Sequence, residues 1–529
     1  ADAVSLVVAW FGDDLRCGEC TISPHVEAAT RNVLDTEWEV AGLARGEVPV
    51  VSSHGGGPAY GGTPSDATVR AAIADLRDRG IGVTIYPILL MDIRPGNPMG
   101  QPAYPWRGRI SCADGDDGTS AAVAQVAAFA DQHRDFILHY AHLADDAGAE
   151  ALIIGSELRG LTQVRGPGNS FPFVDALVDL AADVRAVTGP SVTLTYAADW
   201  SEYHGYQPGG GAKFFHLDPV WASDDIDVIG IDNYMPLADQ RVGAGPYDTA
   251  DLADSIAGGE GIDWYYASSG DRSAGTRSPI TDGAYGEPWV WRFKDLASWW
   301  GNAHHNRPGG VRSGTPTGWV PASKPVWFTE LGAPAIHRGA NQPNVFLDPK
   351  SSESFAPYFS NGAPDSLMQR QILRATLDHW AGSAMVQRIT LWTWDARPYP
   401  AFPGLADVWS DGANHATGHW LTGRLGGVAG DELLRALGAD YGVSFDAVAA
   451  AAPFVHGYLL DAPMTLRQAM EPLLAISGLA AGDGIDGLSI GVAREGIAVG
   501  EVVADGGPLL TRRRPDAGEA VGRVALTYW

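Results

Sequence analysis

Eight short apolar runs, separated by segments with helical periodicity, restrict the folds available to this chain of 529 residues. The runs lie at 4–10, 48–52, 83–90, 151–155, 191–197, 226–231, 325–329 and 388–394. Most of them are continuous and β-branched, which is typical of strands covered on both faces and not of half-exposed antiparallel strands. Between two of the runs, Val69, Ile73 and Leu76 form an apolar stripe behind the possible helix cap Ser65.

Eight strands that alternate with helices predict an α/β fold, specifically a (β/α)8 TIM barrel. In such a barrel the active site lies at the carboxyl ends of the strands. The pattern of the sequence changes near the glycine-rich stretch 423–430, which is typical of a domain boundary. We therefore predict a barrel over 1–425 and a smaller α+β domain over 426–529. The last residues read as the middle of a strand, and we therefore expect a longer polypeptide.

The charge balance argues against several classes of partner. The formal net charge is −27, from 36 basic and 63 acidic residues, and a chain of this sign is repelled by nucleic acid and by anionic membrane surfaces. No segment approaches the roughly 18 uninterrupted apolar residues of a membrane span. Residues 1–10 also lack the basic start of a signal peptide. We expect a soluble protein without a membrane-spanning segment.

Three cysteines offer little basis for a metal site. Cys17 and Cys20 form a C-x-x-C, and Cys112 lies far along the chain. A zinc site needs further ligands, and the sequence has no second C-x-x-C. One disulfide, or three free thiols, is the simpler interpretation, and we predict neither a metal nor a cofactor.

Polar and aromatic residues follow most of the predicted strands, as they do where a barrel site is assembled from many loops. Aromatic faces and fixed hydrogen-bond acceptors are what a sugar ring requires of its binding site. The candidate substrate-binding residues are Trp10, His54, Asp92, Asp199, Asn233, Tyr234, Trp392 and Trp394.

Two glutamates end the fourth and the seventh apolar run. Glu157 follows Ala-Leu-Ile-Ile-Gly-Ser, and Glu330 follows Pro-Val-Trp-Phe-Thr. Glycosidic bond cleavage uses two carboxyl groups, about 5 to 5.5 Å apart when the anomeric configuration is retained. Taken singly, Glu157 can instead pair with Arg159, and Glu330 can cap a helix. Their joint position on strands four and seven makes them our candidate catalytic residues.

This arrangement, with a tryptophan on the eighth strand, resembles the large clan of retaining glycoside hydrolases built on this barrel. Four longer motifs resemble the barrel-like domain of a gene transfer agent tail protein, part of a domesticated phage-like particle. They are Trp-Phe-Gly-Asp-Asp-Leu-Arg-Cys-Gly-Glu-Cys (10–20), Trp-Arg-Gly-Arg-Ile (106–110), Trp-Trp-Gly-Asn-Ala-His-His-Asn-Arg-Pro-Gly-Gly (299–310) and Trp-Phe-Thr-Glu-Leu-Gly (327–332). The segment 458–470 resembles the start of the phage tail domain that follows this barrel.

The resemblance implies a place at the distal tail tip of the particle (its baseplate region), where the barrel meets an envelope glycan of the recipient cell, either peptidoglycan or surface polysaccharide. It also implies assembly with tail hub and spike proteins, as a homotrimer. By this resemblance Glu157 protonates the leaving oxygen and Glu330 attacks the anomeric carbon, with Tyr234 orienting Glu330 and Trp394 beneath the sugar. Ser156 departs from the clan, where an asparagine at this position binds the sugar 2-hydroxyl. The alternative is a non-catalytic structural or adhesion module.

Overall fold

The computed structural model describes residues 2–31, 36–241, 248–397, 401–406, 408–421, 428–449, 454–455, 457–460, 462–484 and 487–492. Its main feature is an eight-stranded sheet with helices packed against it. The strands are β1 (Ala3–Gly12), β2 (Ile22–Ser23), β3 (Gly82–Met91), β4 (Ala151–Ser156), β5 (Thr193–Asp199), β6 (Ile229–Asn233), β7 (Val326–Leu331) and β8 (Val386–Leu391). Their order is β8-β7-β6-β5-β4-β3-β1-β2, and all neighbours are parallel except β1 and β2.

This sheet, in which parallel strands alternate with helices, confirms the predicted α/β fold of the TIM-barrel, glycoside hydrolase-like type. Seven of the eight apolar runs are strands of the sheet. In β4 all six residues are buried, as expected of a strand covered on both faces. The continuous apolar runs therefore reported the parallel sheet correctly.

The prediction of a strand over 48–52 is wrong. β1 pairs directly with β3 over ten residues, from Ala3 opposite Gly82 to Gly12 opposite Met91. The run 48–52 makes only an isolated bridge between Val50 and Val26. Pro49 lies within this run, and because proline has no amide hydrogen it cannot donate to a sheet ladder.

The described part of the chain contains six long helices: α1 (Asp66–Asp78), α2 (Ser120–Ala147), α3 (Pro172–Thr188), α4 (Ser366–Trp380) and, after the barrel, α5 (Gly430–Asp440) and α6 (Leu466–Ser477). The side chain of Ser65 accepts a hydrogen bond from the Thr68 amide at the start of α1, so the predicted cap is confirmed. Shorter helices lie at Arg159–Thr162, Asp218–Ala222, Thr249–Asp254, Ser269–Ala274, Leu296–Gly301 and Ala401–Gly404. Within the described residues, no helix is both long and apolar enough to cross a membrane.

The loops contain small two-stranded sheets. In these, Glu39–Val40 pairs with Leu43–Ala44, Ser53–His54 with Gly57–Pro58, Tyr206–Gly209 with Ala212–Phe214, and Trp264–Tyr265 with Ser278–Pro279. After the barrel, Val428–Ala429 pairs with Phe454–Val455, and Ala447–Val448, Gly487–Val492 and Leu479–Gly484 form a three-stranded sheet. Leu434, Met470 and Ile490 belong to a separate small hydrophobic cluster there. The division at 425 stays a prediction, and residues 493–529 lie outside the described part of the chain.

Candidate functional site

Three strands bring three buried carboxyl groups together at the carboxyl end of the sheet. Glu157 directly follows β4, Asp232 lies at the end of β6, and Glu330 lies at the end of β7. One oxygen atom of each of the three lies within 4.8 Å of the others. The residues are 9%, 0% and 5% exposed, respectively. Three carboxyl groups that are this close and this buried cannot all be charged unless nearby cations or hydrogen-bond donors stabilise them.

Glu157 is held by two side chains from the loop that follows β3. Trp106 Nε1 donates to Glu157 Oε2 over 2.7 Å, and Arg107 Nη2 lies 2.9 Å from the same oxygen. Arg107 also donates to Ser156, from Nε to the carbonyl oxygen over 2.9 Å and from Nη2 to Oγ over 2.7 Å. The Arg107 guanidinium is thus the cation that offsets the charge of Glu157.

The backbone of Glu157 adopts a φ of 50°, in the left-handed region that few residues other than glycine occupy. Such a conformation costs on the order of 1–3 kcal/mol and persists where the surroundings enforce it. The Glu157 amide donates to the Ala197 carbonyl over 2.9 Å, and the Leu158 amide donates to Tyr196 Oη over 2.9 Å. These contacts on β5 fix the direction in which the carboxylate leaves β4.

The loop that presents Trp106 and Arg107 is clamped to the loop that follows β7. We call the two clamped segments, 103–109 and 351–353, the strap. The Ser352 amide donates to the Ala103 carbonyl over 2.9 Å, and Arg109 Nη2 donates to Glu353 Oε2 over 3.0 Å. The strap therefore joins the loops that follow β3 and β7, and it places Trp106 and Arg107 over Glu157.

Glu330, by contrast, is held by two tyrosines of the sheet. Tyr86, on β3, donates to Glu330 Oε1 over 2.9 Å, and Tyr234, just after β6, donates to Oε2. Burial, followed by the charge of Glu157, raises the pKa of Glu330 to about 7. The two phenol hydroxyls and the Arg107 guanidinium act in the opposite direction, because they stabilise the charged form.

Four further predicted residues lie beside these carboxyl groups. Tyr234 contacts Glu330 as expected. Burial, followed by the charge of Glu157, raises the pKa of Asp199 to about 7. Asn233 lines a small cavity next to the site, and Trp392 packs against the buried cluster that contains Tyr86.

Among the described residues, no hydrogen bond or ion pair joins the other four predicted residues to these carboxyl groups. Trp10 is buried against α2, 5.0 Å from the ring of Phe136. Trp394 is 73% exposed and does not pack in the cluster with Trp392. His54 and Asp92 lie together near the strap. The ring centroids of His54 and Tyr104 are 6.0 Å apart, and Asp92 Oδ2 accepts the Ser52 amide hydrogen over 2.8 Å. Ser52 Oγ in turn lies 3.0 Å from Tyr104 Oη.

Sequence reasoning missed four residues of the site. Tyr86 lies in the middle of β3 and not at its end, so no strand-end rule could find it. Asp232 was visible at a strand end but received no role. Trp106 and Arg107 occur in one of the motifs that carry the family resemblance, and that motif was the available signal for them.

Two groups of described residues have the spacing of a metal site. The first is the set of three carboxyl groups above, and the second is His337, Asp431 and Glu432. In the second group, His337 Nδ1 accepts the Asn361 amide hydrogen over 3.1 Å, so Nε2 carries the ring proton toward Glu432 Oε1 at 3.1 Å. Neither ring nitrogen then has a lone pair free for a metal. In the first group, Arg107 already supplies a cation.

The three cysteines are free thiols in the structure, Cys17 and Cys20 buried and Cys112 half-buried. Burial raises the pKa of Cys17 to about 12 and that of Cys20 to about 11. Both thiols are therefore protonated and unreactive at neutral pH.

A comparison with protein families agrees with the fold. The family described as GTA TIM-barrel-like domain matches residues 132–403, slightly more than half of the chain. No curated protein matches. Solved structures that are similar include a GH113 β-mannanase from Alicyclobacillus acidocaldarius (16% identity, 79% of this chain and 81% of that chain, TM-score 0.41). A fungal β-1,4-galactanase is also similar (13% identity, 62% and 73%, TM-score 0.30). Because these TM-scores are low, the fold assignment rests on the sheet and on the family match.

Proposed function

Because the chain belongs to the family of GTA TIM-barrel-like domains, we propose that it is a distal tail component of a phage-like gene transfer agent particle. Its barrel binds and hydrolyses a glycan of the recipient-cell envelope, by a retaining mechanism. The particle is assembled in the bacterial cytoplasm, and the partners of the chain are other tail hub and spike proteins and two further copies of itself. Light scattering of the purified protein tests the trimer.

The observation that carries the proposed hydrolysis is the pairing of Glu157 and Glu330 at the ends of β4 and β7, with oxygen atoms within 4.8 Å. This is close enough for one carboxyl group to protonate the leaving oxygen while the other attacks the anomeric carbon. Glu330, fixed by two phenol hydroxyls, is suited to the nucleophile. Glu157, at the mouth of the site, is suited to the acid and then to the base that activates water.

Catalysis requires a change at Glu157. Trp106 and Arg107 both contact Glu157 Oε2, and an ion-paired carboxylate is a poor proton donor. A glycan that enters the site must therefore displace these two side chains from Glu157. Because both belong to the strap, opening of the strap is part of the proposed reaction cycle.

The test is the release of reducing ends from purified recipient peptidoglycan and from capsular polysaccharide. Wild type is expected to release them, and Glu157→Gln and Glu330→Gln are each expected to lose at least about 10³-fold of the rate. Glu260→Gln is the matched control, since Glu260 pairs with Arg272 in a loop outside the site, and it keeps full activity. Equal release by wild type and both site variants overturns the assignment.

A second candidate function is a glycan-binding or structural module without catalysis. The observation that favours it is that Trp106 and Arg107 already contact the carboxylate of Glu157. Glu157 and Glu330 are also each less than one tenth exposed. Binding of the same glycans by wild type and by the Glu157→Gln/Glu330→Gln double variant, without release by either, would support this alternative.

A further inference from the structure

The hydroxyl of Tyr86 lies among more hydrogen-bond acceptors than it has hydrogens. Its oxygen is 2.9 Å from Glu330 Oε1, 3.0 Å from Asp232 Oδ2 and 2.7 Å from Ser156 Oγ. A phenol has one hydrogen and can donate it to one acceptor only. If both carboxyl groups were charged, one carboxylate oxygen would face the phenol oxygen with no proton between them.

Ser156 does not remove this conflict. Its Oγ accepts from Arg107 Nη2 over 2.7 Å, so its own hydrogen is directed to Tyr86 or to Asp232. The distance from Ser156 Oγ to Asp232 Oδ2 is 3.4 Å, longer than the 2.7 Å to Tyr86. The shorter contact places the serine hydrogen on Tyr86, and the 3.0 Å contact between Tyr86 and Asp232 still needs a proton.

The surroundings indicate which carboxyl group carries that proton. Glu330 accepts from two phenols, Tyr86 and Tyr234, and such donors stabilise a carboxylate. Asp232 is fully buried, and apart from its contacts with Tyr86 and Ser156 its hydroxyl donor among the described residues is Thr329 Oγ1, over 2.7 Å to Oδ1. A neutral Asp232 completes the network, because Oδ2–H then donates to the Tyr86 oxygen.

We propose that Asp232 is a positioning residue that remains protonated at neutral pH and donates to Tyr86, which directs the single hydrogen of Tyr86 to Glu330. A neutral Asp232 favours the charged form of Glu330, because it adds no further negative charge to that of Glu157. Its role in catalysis rests on the proposed hydrolase. Its protonation state does not depend on that function.

Charged groups face Asp232 from several elements. Glu330 lies on β7, Glu157 at the end of β4 and Asp199 at the end of β5, where it is opposite Asp232 in the strand register. The titratable phenols are those of Tyr86 and Tyr234, and the cation is Arg107. Burial, then the charges of Glu330 and Glu157, raise the pKa of Asp232 well above its ordinary value, while Thr329 and Arg107 lower it.

The direct test is infrared spectroscopy of protein labelled with ¹³C-aspartate, comparing wild type with Asp232→Asn at pH 7. The difference spectrum is expected to contain the C=O band of a protonated carboxyl group. Asp395→Asn is the matched control, because Asp395 is ion-paired with Arg397 and its loss removes carboxylate bands only. A carboxylate-only difference for Asp232→Asn overturns the proposal.

A second measurement follows Glu330. With ¹³C-glutamate label, and Glu330→Gln for subtraction, the titration of Glu330 is compared between wild type and Asp232→Asn. The midpoint is expected to be unchanged, because asparagine replaces a neutral acid. If Asp232 were charged, its removal would lower the midpoint by about 1 to 3 pH units, and this result overturns the proposal.

Tyr86→Phe provides a second test if the Asp232→Asn variant does not fold. It removes the acceptor of the Asp232 proton, so the protonated-carboxyl band of Asp232 is expected to change frequency, and an unchanged band overturns the proposal. All three measurements can be made on a protein with no hydrolytic activity. Failure of the proposed function and failure of this inference are therefore distinguishable.

Discussion

The two glutamates at the centre of the site are supported by different parts of the molecule. The partners of Glu157, Trp106 and Arg107, come from a loop that is clamped to a second loop. The partners of Glu330 come from or adjoin strands: Tyr86 on β3 and Tyr234 after β6. The loop side lies outside the strands of the sheet, whereas the sheet side lies within them or directly after them.

This difference assigns separate tasks to the two sides. A nucleophile needs a fixed position relative to the anomeric carbon, and packed strands hold a side chain more rigidly than loops do. A proton donor that is blocked by an ion pair needs partners that can leave. The following predictions test whether the two sides behave in this way.

The largest effect on stability is expected on the loop side, from Arg107→Gln. The side chains of Arg107 and Glu157 are only 10% and 11% exposed, and breaking a buried ion pair typically costs about 3–5 kcal/mol. Urea unfolding measures the loss. Arg79→Gln is the control, since the Arg79–Asp75 pair is 66% and 62% exposed, and its unfolding midpoint is expected to stay unchanged. Equal effects of the two variants would contradict a buried pair.

The next effect concerns Glu202, which is fully buried and accepts from Tyr196 over 2.9 Å. Burial raises the pKa of Glu202 to about 8, with Thr162 opposing and Asp199 adding to the rise. The folded state therefore retains a proton that the unfolded state releases near pH 4.3. This stabilisation is full below pH 4.3 and is lost as the pH rises to about 8.

Glu202→Gln removes that pH dependence. Relative to wild type, the variant is expected to gain on the order of 2–4 kcal/mol between pH 5 and pH 8. The free energy of unfolding in urea at both pH values gives the difference, in which any pH-independent cost of the substitution cancels. Parallel profiles of wild type and variant would show that Glu202 is charged in the folded protein.

On the sheet side, Tyr234→Phe removes one donor from Glu330. The pKa of Glu330 is expected to rise above about 7, because the charged form loses a hydrogen bond. The acid limb of hydrolysis then moves to higher pH, with at least about a tenfold loss of rate at pH 6. Tyr203→Phe is the matched control, since Tyr203 donates to the Phe293 carbonyl away from the site. An unshifted acid limb contradicts the support of Glu330 by Tyr234.

The smallest effect on stability is expected from Glu353→Gln, which breaks the Arg109 contact in the strap. The two side chains are 48% and 23% exposed, and such pairs contribute about 0–1 kcal/mol. Hydrogen–deuterium exchange of peptides that cover 103–109 is nevertheless expected to accelerate. Glu260→Gln should leave this exchange unchanged. Unaltered exchange in Glu353→Gln would mean that the salt bridge does not hold the strap closed.

Much of the fold was predictable because strands and helix ends follow from short stretches of neighbouring residues. Continuous apolar runs identified seven strands, and Ser65 identified the start of α1. The wrong prediction of a strand over 48–52 also has a local cause. Pro49 disfavours a strand at this position, but the prediction relied on the apolar residues around it. Glu157 and Glu330 were predictable as neighbours, because the carboxyl ends of parallel strands meet at one edge of a sheet.

The sequence by itself determined the class of sheet and the strand ends that carry the two glutamates, since both follow from the order of apolar and polar residues. Only the tertiary structure decided their environments. Along the chain, Arg107 lies 50 residues from Glu157, and Tyr86 lies 244 residues from Glu330. The same packing buries the three carboxyl groups, and the pKa values of Asp232 and Glu330 depend on that burial and on neighbouring charges. Neither can be read from the spacing of residues along the sequence.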